Sequence, residues 1–343
     1  MTNVHFVGSI GLDTVDEVFF TAGKLLGSHL KRVPDGEPGG RRLWTSWQYP
    51  LLRANPFLKV DRARAPTTVT GFLPLTIADG VRPEEVRFGE LGYTREARAS
   101  YQDFLAAKRS GVLPPKVRFQ VSIPTPFAII GRTISEEVRP AVLAAYEKAM
   151  LREIHALFKA IPDDDLALQW DICFEMLIWD GRWSAMPPFA DMETYFSAMF
   201  GRLSEPVPDA VELGFHLCYG DLDATHFVEP LDAGKLCEMA NLIARSVKRR
   251  IDWIHMPVPI NRHDDAYFAP LKDLRLHSET EVYLGLVHAK DGAEGTLRRM
   301  AAARKFVPEF GIATECGMAR ARTPETVMEL MRVHAAAAQA RLS

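Results

Sequence analysis

The side chains best suited to chemistry in this sequence are those of His216, Cys218 and Cys316. In a β-strand, side chains two residues apart point to the same side, so His216 and Cys218 can bind one ion together. Two thiolates and an imidazole suit Zn²⁺ and leave a position open for a substrate or water. A thiol bound there is deprotonated and becomes a nucleophile at neutral pH. The alternative is that these cysteines are simple core filler, since His-x-Cys alone is a weak pattern.

The chain contains four cysteines, which are sparse and widely spaced. This usage argues against a disulfide framework. Cys173 adjoins a predicted strand and Cys237 lies in a predicted helix. We therefore predict that these two cysteines only fill core space.

Eight short apolar runs alternate with amphipathic helical stretches along the chain. Nearly continuous apolar runs are typical of parallel strands buried on both faces. The predicted strands are residues 4–9, 30–33, 117–123, 166–172, 211–217, 251–256, 281–287 and 310–314. Eight βα units predict an α/β fold of the (β/α)8 TIM-barrel type, with a doubly wound sheet as the alternative. No G-x-G-x-x-G motif follows the first strand, which weakens a dinucleotide-binding interpretation.

The second predicted βα unit is longer and less regular than the others. We predict one barrel domain over residues 1–343, with an elaborated segment after strand 2 at about residues 41–115. A chain of this length can bury a large core, so it needs no disulfide or metal to fold.

The composition argues against several classes of partner. The net charge is −3 and the Lys and Arg residues are spread along the chain, so we expect no nucleic-acid surface and no polybasic membrane patch. No apolar run approaches the roughly 20 residues of a membrane span, and residues 1–11 lack the features of a signal peptide. We expect a cytoplasmic protein that acts on small-molecule substrates, and a homo-oligomer stays open.

Polar residues follow nearly every predicted strand, which is where a barrel of this type builds its active site. We predict Asp171 and His255 as catalytic residues, although a buried histidine is often only a satisfied core residue. Turn chemistry is the alternative explanation for the charged residues after strand 2. The residues predicted to bind substrate are Ser9, Asp35, Glu37, Arg41, Glu175, Tyr219 and Asp221.

Four motifs together resemble the C-terminal catalytic barrel of the cobalamin-independent methionine synthase family. They agree with the family in order and spacing, and they read Phe6-Val7-Gly8-Ser9, Leu168-Gln169-Trp170-Asp171, His216-Leu217-Cys218-Tyr219-Gly220 and Glu315-Cys316-Gly317-Met318. The resemblance implies a zinc-dependent barrel that activates a thiol for methyl or alkyl transfer from a folate-type or other methyl donor. It implies that His216, Cys218 and Cys316 are zinc ligands. It also implies that Asp171 binds an amino acid acceptor.

The chain departs from the family pattern after predicted strand six. The family has a Glu zinc ligand there, whereas this chain reads His255-Met256-Pro257. His255 or Glu175 is the candidate fourth ligand, and loss of the metal is the alternative.

Two other functions fit the same strand-end residues. A metal-free lyase or decarboxylase would use Asp171, His216 and His255 for acid–base work. A small-molecule binding barrel without catalytic activity is the second, although reactive groups at the strand ends argue against it.

Overall fold

The computed structural model describes residues 2–67, 70–183 and 189–340. These residues contain nine strands, which are Arg32–Pro34 (β1), Leu58–Val60 (β2), Leu75–Ile77 (β3), Arg118–Pro124 (β4), Leu166–Ile172 (β5), Glu212–Leu217 (β6), Trp253–Pro257 (β7), Glu281–Val287 (β8) and Gly311–Thr314 (β9). Seven of them form one parallel sheet in the order β1-β4-β5-β6-β7-β8-β9. The predicted α/β class and the parallel sheet are therefore confirmed.

Eleven α-helices lie in the described residues, the first of them before β1 and the others between or after the strands. Their bounds are Val15–Leu26 (α1), Tyr49–Ala54 (α2), Tyr93–Arg109 (α3), Pro126–Thr133 (α4), Arg139–Ala160 (α5), Phe174–Asp180 (α6), Met192–Ser204 (α7), Gly234–Ser246 (α8), Asp265–Phe268 (α9), Gly292–Ala303 (α10) and Pro324–Gln339 (α11). Helix α1 starts at a capping box formed by Thr14 and Glu17, which satisfies free amides at the helix start. The sequence predicts the last helix over residues 324–342, of which residues 341 and 342 lie outside the described part. No helix of this part combines the length and apolarity needed to cross a membrane.

The register of the central strands brings three polar residues side by side. Asp171 on β5 pairs with His216 on β6, and His216 pairs with His255 on β7. Neighbouring parallel strands lie about 4.8 Å apart, so these three side chains form a row across the sheet. All three residues are buried. The row lies near the carboxyl ends of the strands, where the predicted site was placed.

The first predicted strand, residues 4–9, differs from the prediction. It forms isolated bridges rather than a regular strand, with Val4 bridged to both Leu30 and Ile312, and Ile10 bridged to Met318. The hydrogen-bonded sheet therefore has seven strands and is not closed as the predicted eight-stranded barrel. The physical reason is that interior side chains take the place of some of the backbone hydrogen bonds that would join this segment to neighbouring strands.

Three polar side chains bind the carbonyl groups of this first segment. Gln120 donates its side-chain amide to Phe6 O at 2.9 Å, and Ser122 Oγ donates to Val7 O at 3.0 Å. Gln169 also donates to Val7 O. These carbonyl groups therefore accept hydrogen bonds from side chains of the sheet and do not require a backbone N–H of a neighbouring strand.

The stretch between β1 and β4 contains helices α2 and α3 and a small antiparallel pair. In that pair Leu58 on β2 is the register partner of Ile77 on β3. Leu52, Leu58 and Leu75 belong to the same buried cluster as Phe119 on β4. The stretch therefore packs on the sheet that carries the site.

Candidate metal centre and active site

Three ligand atoms converge at the carboxyl end of the sheet. His216 lies on β6, Cys218 directly follows β6, and Cys316 follows β9 by two residues. One ligand atom from each residue lies within 4.8 Å of the other two. The Sγ atoms of Cys218 and Cys316 are 3.5 Å apart. The structure therefore brings together the three residues predicted as metal ligands, in a group that could hold a metal ion.

The electronic state of His216 fits a metal ligand. Its Nδ1 lies 2.7 Å from Nδ1 of His255, whereas its Nε2 is buried and has no hydrogen-bond partner in the described part of the chain. Burial lowers the pKa of His216 well below its usual value and lowers the pKa of His255 to about 3. Both rings are consequently neutral, and a neutral imidazole offers one lone pair. A buried nitrogen without a partner costs free energy, and an ion at Nε2 would remove that cost.

The thiols of Cys218 and Cys316 also do not readily ionise by themselves in this buried site, and a cation would favour their thiolate forms. The neighbouring Cys173 thiol and burial raise the pKa of Cys218, while Cys218 and burial raise the pKa of Cys316. A divalent cation reverses this effect because it deprotonates the thiols that bind it. Two polar groups already point at the sulfur atoms. Gly220 N donates to Cys218 Sγ at 3.2 Å, and the Arg320 guanidinium donates to Cys316 Sγ at 3.7 Å.

An open cavity lies beside these three residues, with about 790 Å³ of free space when the part open to solvent is included. Its lining includes His216, Cys218 and Cys316 themselves, together with Ser9, Glu37, Trp44, Asp171, Cys173, Phe174, Asp221, Phe227 and Arg320. Trp44 and Phe174 form an aromatic part of the wall, with ring centroids 5.5 Å apart. A small molecule in this cavity would lie against the candidate ligands, which is the arrangement expected of a substrate pocket.

Asp171 is held firmly at the cavity wall. Its two oxygens accept hydrogen bonds from Trp44 Nε1 at 3.0 Å and from the Gln169 side-chain amide at 2.9 Å. Burial raises its pKa to about 6, although both of these hydrogen bonds act in the opposite direction. The side chain is therefore mostly ionised at neutral pH and has a fixed orientation.

The charged residues after β1 form a second group next to the cavity. Asp35 accepts a hydrogen bond from Ser100 at 2.6 Å and pairs with Arg41 at 2.8 Å. Glu37 lines both the main cavity and a neighbouring one of about 490 Å³, which Asp35 and Arg41 also line. Burial, followed by the charge of Asp171, raises the pKa of Glu37 to about 8. Glu37 is thus mainly a neutral hydrogen-bond donor at pH 7.

Four further predicted site residues lie outside the group of three ligands and make hydrogen bonds with other residues, although Glu175 Oε2 is buried without a partner among the described residues. Glu175 is fully buried and accepts a hydrogen bond from Thr125. The Tyr219 hydroxyl donates to Asp180 at 2.9 Å. Asp221 lines the cavity, yet Arg322 pairs with both of its oxygens at 2.6 and 3.0 Å. His255 lies behind His216 and outside the group of three ligands.

Sequence reasoning assigned no role to Trp44, Gln169 or Arg320, although all three lie at or near predicted strand ends. That position is the signal that could have identified them, because strand-end residues face the mouth of this fold. Cys173 was predicted as core filler. It is buried, and it also lines the cavity beside Cys218.

No protein-family model matches this chain, and no curated protein matches its sequence. Its structure is similar to that of a B12-independent methionine synthase from Shewanella sp. W3-18-1 in complex with selenomethionine. The TM-score is 0.64 and the identity 14%, over 97% of this chain and 96% of that chain.

Two other solved structures are similar over nearly their whole length. One, from Listeria monocytogenes, has been assigned as a vitamin-B12-independent methionine synthase, and it matches with a TM-score of 0.59 and 13% identity over 98% of each chain. A methyltransferase from Methanosarcina mazei matches with a TM-score of 0.52 and 10% identity over 96% of this chain and 93% of that chain. At these identities the shared property is the fold.

Proposed function

We propose that this protein is a zinc-dependent methyl or alkyl transferase that activates a thiol acceptor. The observation that carries the proposal is the buried group of His216, Cys218 and Cys316, which opens onto a cavity. Three protein ligands with an open fourth position are typical of catalytic rather than structural zinc. When bound, the metal would stabilise a substrate thiol as a nucleophilic thiolate at neutral pH.

The chain's own residues would bind and orient the acceptor. Asp171 is ionised and fixed by Trp44 and Gln169, so its free lone pairs can bind a substrate ammonium group. Arg320 lies on the same cavity wall and can bind an anionic group. This pair of opposite charges favours an amino acid thiol as the acceptor. The complex of the Shewanella protein with selenomethionine supports the same class of ligand.

Aromatic side chains would exclude water from the reacting sulfur. Trp44, Phe174 and Phe227 line the cavity, and Phe174 stacks on Trp183 at 5.6 Å. Exclusion of water strengthens charge interactions in a site and prevents side reactions. A folate-type or other methyl donor would enter from the open side. Glu37, as a neutral donor between the two cavities, would bind an acceptor atom of that molecule.

We also propose that residues 4–10 complete the barrel. They lie between the two edges of the sheet, with His5 N donating to Ile312 O and Ile10 N donating to Gly36 O. Ser9 on this segment lines the cavity, so closure would form one wall of the site.

Metal content of the purified protein tests the metal-dependent part of the proposal. We expect about one zinc per chain, lost in Cys218→Ser and Cys316→Ser because each removes one of three ligands. Cys237→Ser is the matched control, since Cys237 is equally buried but lies on α8. Absence of metal from protein prepared with zinc present would contradict the proposal. It would favour a metal-free lyase that uses Asp171 and His216.

Binding of a thiol amino acid tests the acceptor. Added L-homocysteine should bind with its sulfur on zinc, which X-ray absorption at the zinc edge detects as one additional sulfur neighbour. Asp171→Asn should weaken this binding about tenfold or more while zinc content is unchanged, because a charge-assisted hydrogen bond is lost. Unchanged affinity in Asp171→Asn would exclude the proposed role of Asp171.

A further inference from the structure

A chain of hydrogen bonds runs from His216 away from the cavity. The Nδ1 atoms of His216 and His255 are 2.7 Å apart, and Nε2 of His255 lies 3.0 Å from the carbonyl oxygen of Thr314. All three residues are buried. The three groups lie on β6, β7 and β9, so the chain links the strands that deliver the candidate ligands.

The contact with the carbonyl oxygen of Thr314 determines which ring nitrogens of His255 and His216 carry protons. A carbonyl only accepts, so Nε2 of His255 must carry a proton. His255 is fully buried and its two hydrogen-bond partners are a second imidazole and a carbonyl, so no anion supports a second proton on the ring and its Nδ1 is a bare acceptor. Nδ1 of His216 must then carry the proton that joins the two rings. It follows that Nε2 of His216 has a free lone pair, and this is the nitrogen that has no hydrogen-bond partner among the residues the structure describes.

Thr314 also connects this chain to the third candidate ligand. Its hydroxyl donates to the backbone carbonyl of Cys316 at 2.6 Å, while its own carbonyl accepts from His255. One residue thereby restrains the turn that carries Cys316 and the imidazole behind His216. Such outer contacts commonly set the orientation and tautomer of a ligating histidine.

We propose that His255 is a positioning residue that holds His216 in the Nδ1-protonated tautomer, with its Nε2 lone pair directed to the metal. This inference rests on the proposed metal site. Both ring nitrogens of His255 are engaged, which leaves none for a metal or a substrate proton. The assignment therefore differs from the catalytic or ligand role that the sequence predicted for His255.

The tautomer of His216 is directly measurable in the metal-free protein. Long-range ¹H–¹⁵N correlation spectra distinguish the two neutral forms of a histidine, and we expect His216 to be protonated at Nδ1 alone. This measurement needs neither zinc nor activity, so it stays informative if the proposed function fails. Protonation of His216 at Nε2 in the wild-type protein would overturn the inference.

Two substitutions of His255 test the consequence for zinc. His255→Leu removes both contacts, and we expect zinc affinity, measured by chelator competition, to fall about 10- to 100-fold, with His216 in mixed tautomers. His255→Gln offers one donor and one acceptor and should restore the wild-type tautomer and most of the affinity. Wild-type affinity in His255→Leu would overturn the inference, as would an equal loss in His255→Gln and His255→Leu.

His334→Leu is the matched control for these variants. His334 is another fully buried histidine that hydrogen-bonds to a carbonyl, that of Leu330 at 2.8 Å, but it lies on α11. We expect the control to lose stability without loss of zinc affinity. A similar loss of affinity in His334→Leu would show that any buried histidine matters, which would overturn the specific role of His255.

Discussion

Burial controls the protonation of the carboxyl groups around the site. It raises the pKa of Asp171 to about 6, that of Glu175 to about 7 and that of Glu37 to about 8. The three residues therefore differ at neutral pH, because Asp171 is mostly ionised while Glu37 is mostly neutral. Neighbouring carboxyl groups with different protonation can bind different parts of one ligand, an ammonium at Asp171 and an acceptor atom at Glu37.

Glu175 gives a prediction for stability against pH. Its pKa in the folded protein lies above the unfolded value, so the carboxyl group stabilises the fold at low pH. This contribution is lost as the pH rises from about 4.5 towards 7. Glu175→Gln keeps the acceptor for Thr125 and does not titrate. We expect its advantage in free energy of unfolding over the wild type to grow by about 2 kcal/mol between pH 5 and pH 8.

Urea unfolding at the two pH values measures this difference. Glu309→Gln is the control for the substitution itself, because Glu309 is exposed. A Glu175→Gln profile parallel to that of the wild type would show that Glu175 is already charged at pH 5.

Strands β6 and β7 make a close contact at Gly214, where the glycine lies against the side chain of Trp253. Gly214 is the register partner of Trp253, and a Cβ added at Gly214 would lie 1.9 Å from the indole. Trp253 is fully buried, donates to the Gln169 side chain at 3.3 Å and lies beneath the Arg32 guanidinium at 4.1 Å. The indole therefore has no space to move. Gly214 leaves the space that the indole of Trp253 occupies between the strands that carry His216 and His255.

Gly214→Ala should destabilise the protein because it forces the indole or the strand to shift. We expect a loss of about 2 to 3 kcal/mol in the free energy of unfolding, measured by chemical denaturation. Gly89→Ala is the control, since nothing lies within 4 Å of a Cβ there, and its effect should be within about 0.5 kcal/mol. Equal effects of the two substitutions would show that the contact between β6 and β7 is not tight.

At the scale of the whole molecule, the segment of residues 4–10 joins the two edges of the sheet. Val4 N donates to His29 O at 2.9 Å, and Met318 N donates to Ser9 O at 2.6 Å. If these contacts close the barrel, the hydrogen bonds of residues 4–10 break only when the whole protein unfolds.

Hydrogen exchange tests this closure. We expect amides of residues 4–10 that donate to the sheet to exchange as slowly as those of β5, within about tenfold, because both require global unfolding. The small β2–β3 pair should exchange faster. Rapid exchange of residues 4–10 at the rate of a free chain would show that the seven-stranded sheet is open in solution.

Metal binding should also stabilise the whole fold. A ligand that binds only the folded state adds about 2.7 kcal/mol at 100 times its dissociation constant. Thermal denaturation with zinc and with a chelator should therefore show a higher Tm with zinc in the wild type and in Cys237→Ser. Cys316→Ser should not respond to zinc, and a response equal to that of the wild type would place the bound metal elsewhere.

The sequence by itself determined the class of fold and the approximate positions of seven strands, with both ends correct for two of them. Apolar runs such as residues 166–172 and 281–287 coincide with β5 and β8, because a strand buried on both faces must be apolar over its whole length. The ends of the predicted strands 211–217 and 310–314 indicated His216, Cys218 and Cys316, and the resemblance of the surrounding motifs to a known family agreed with that choice. Side-chain alternation along one strand is a local property, so it can be read from sequence.

Only the tertiary structure decided which of these residues meet. The 3.5 Å between Cys218 and Cys316 depends on the curl of the sheet, and the contact of His216 with His255 depends on the register of β6 and β7. The first segment lost its regular strand pairing because Gln120 and Gln169, distant in sequence, bind its carbonyl groups. These contacts join residues 39 to 162 positions apart, and a pattern along the chain carries no information about them.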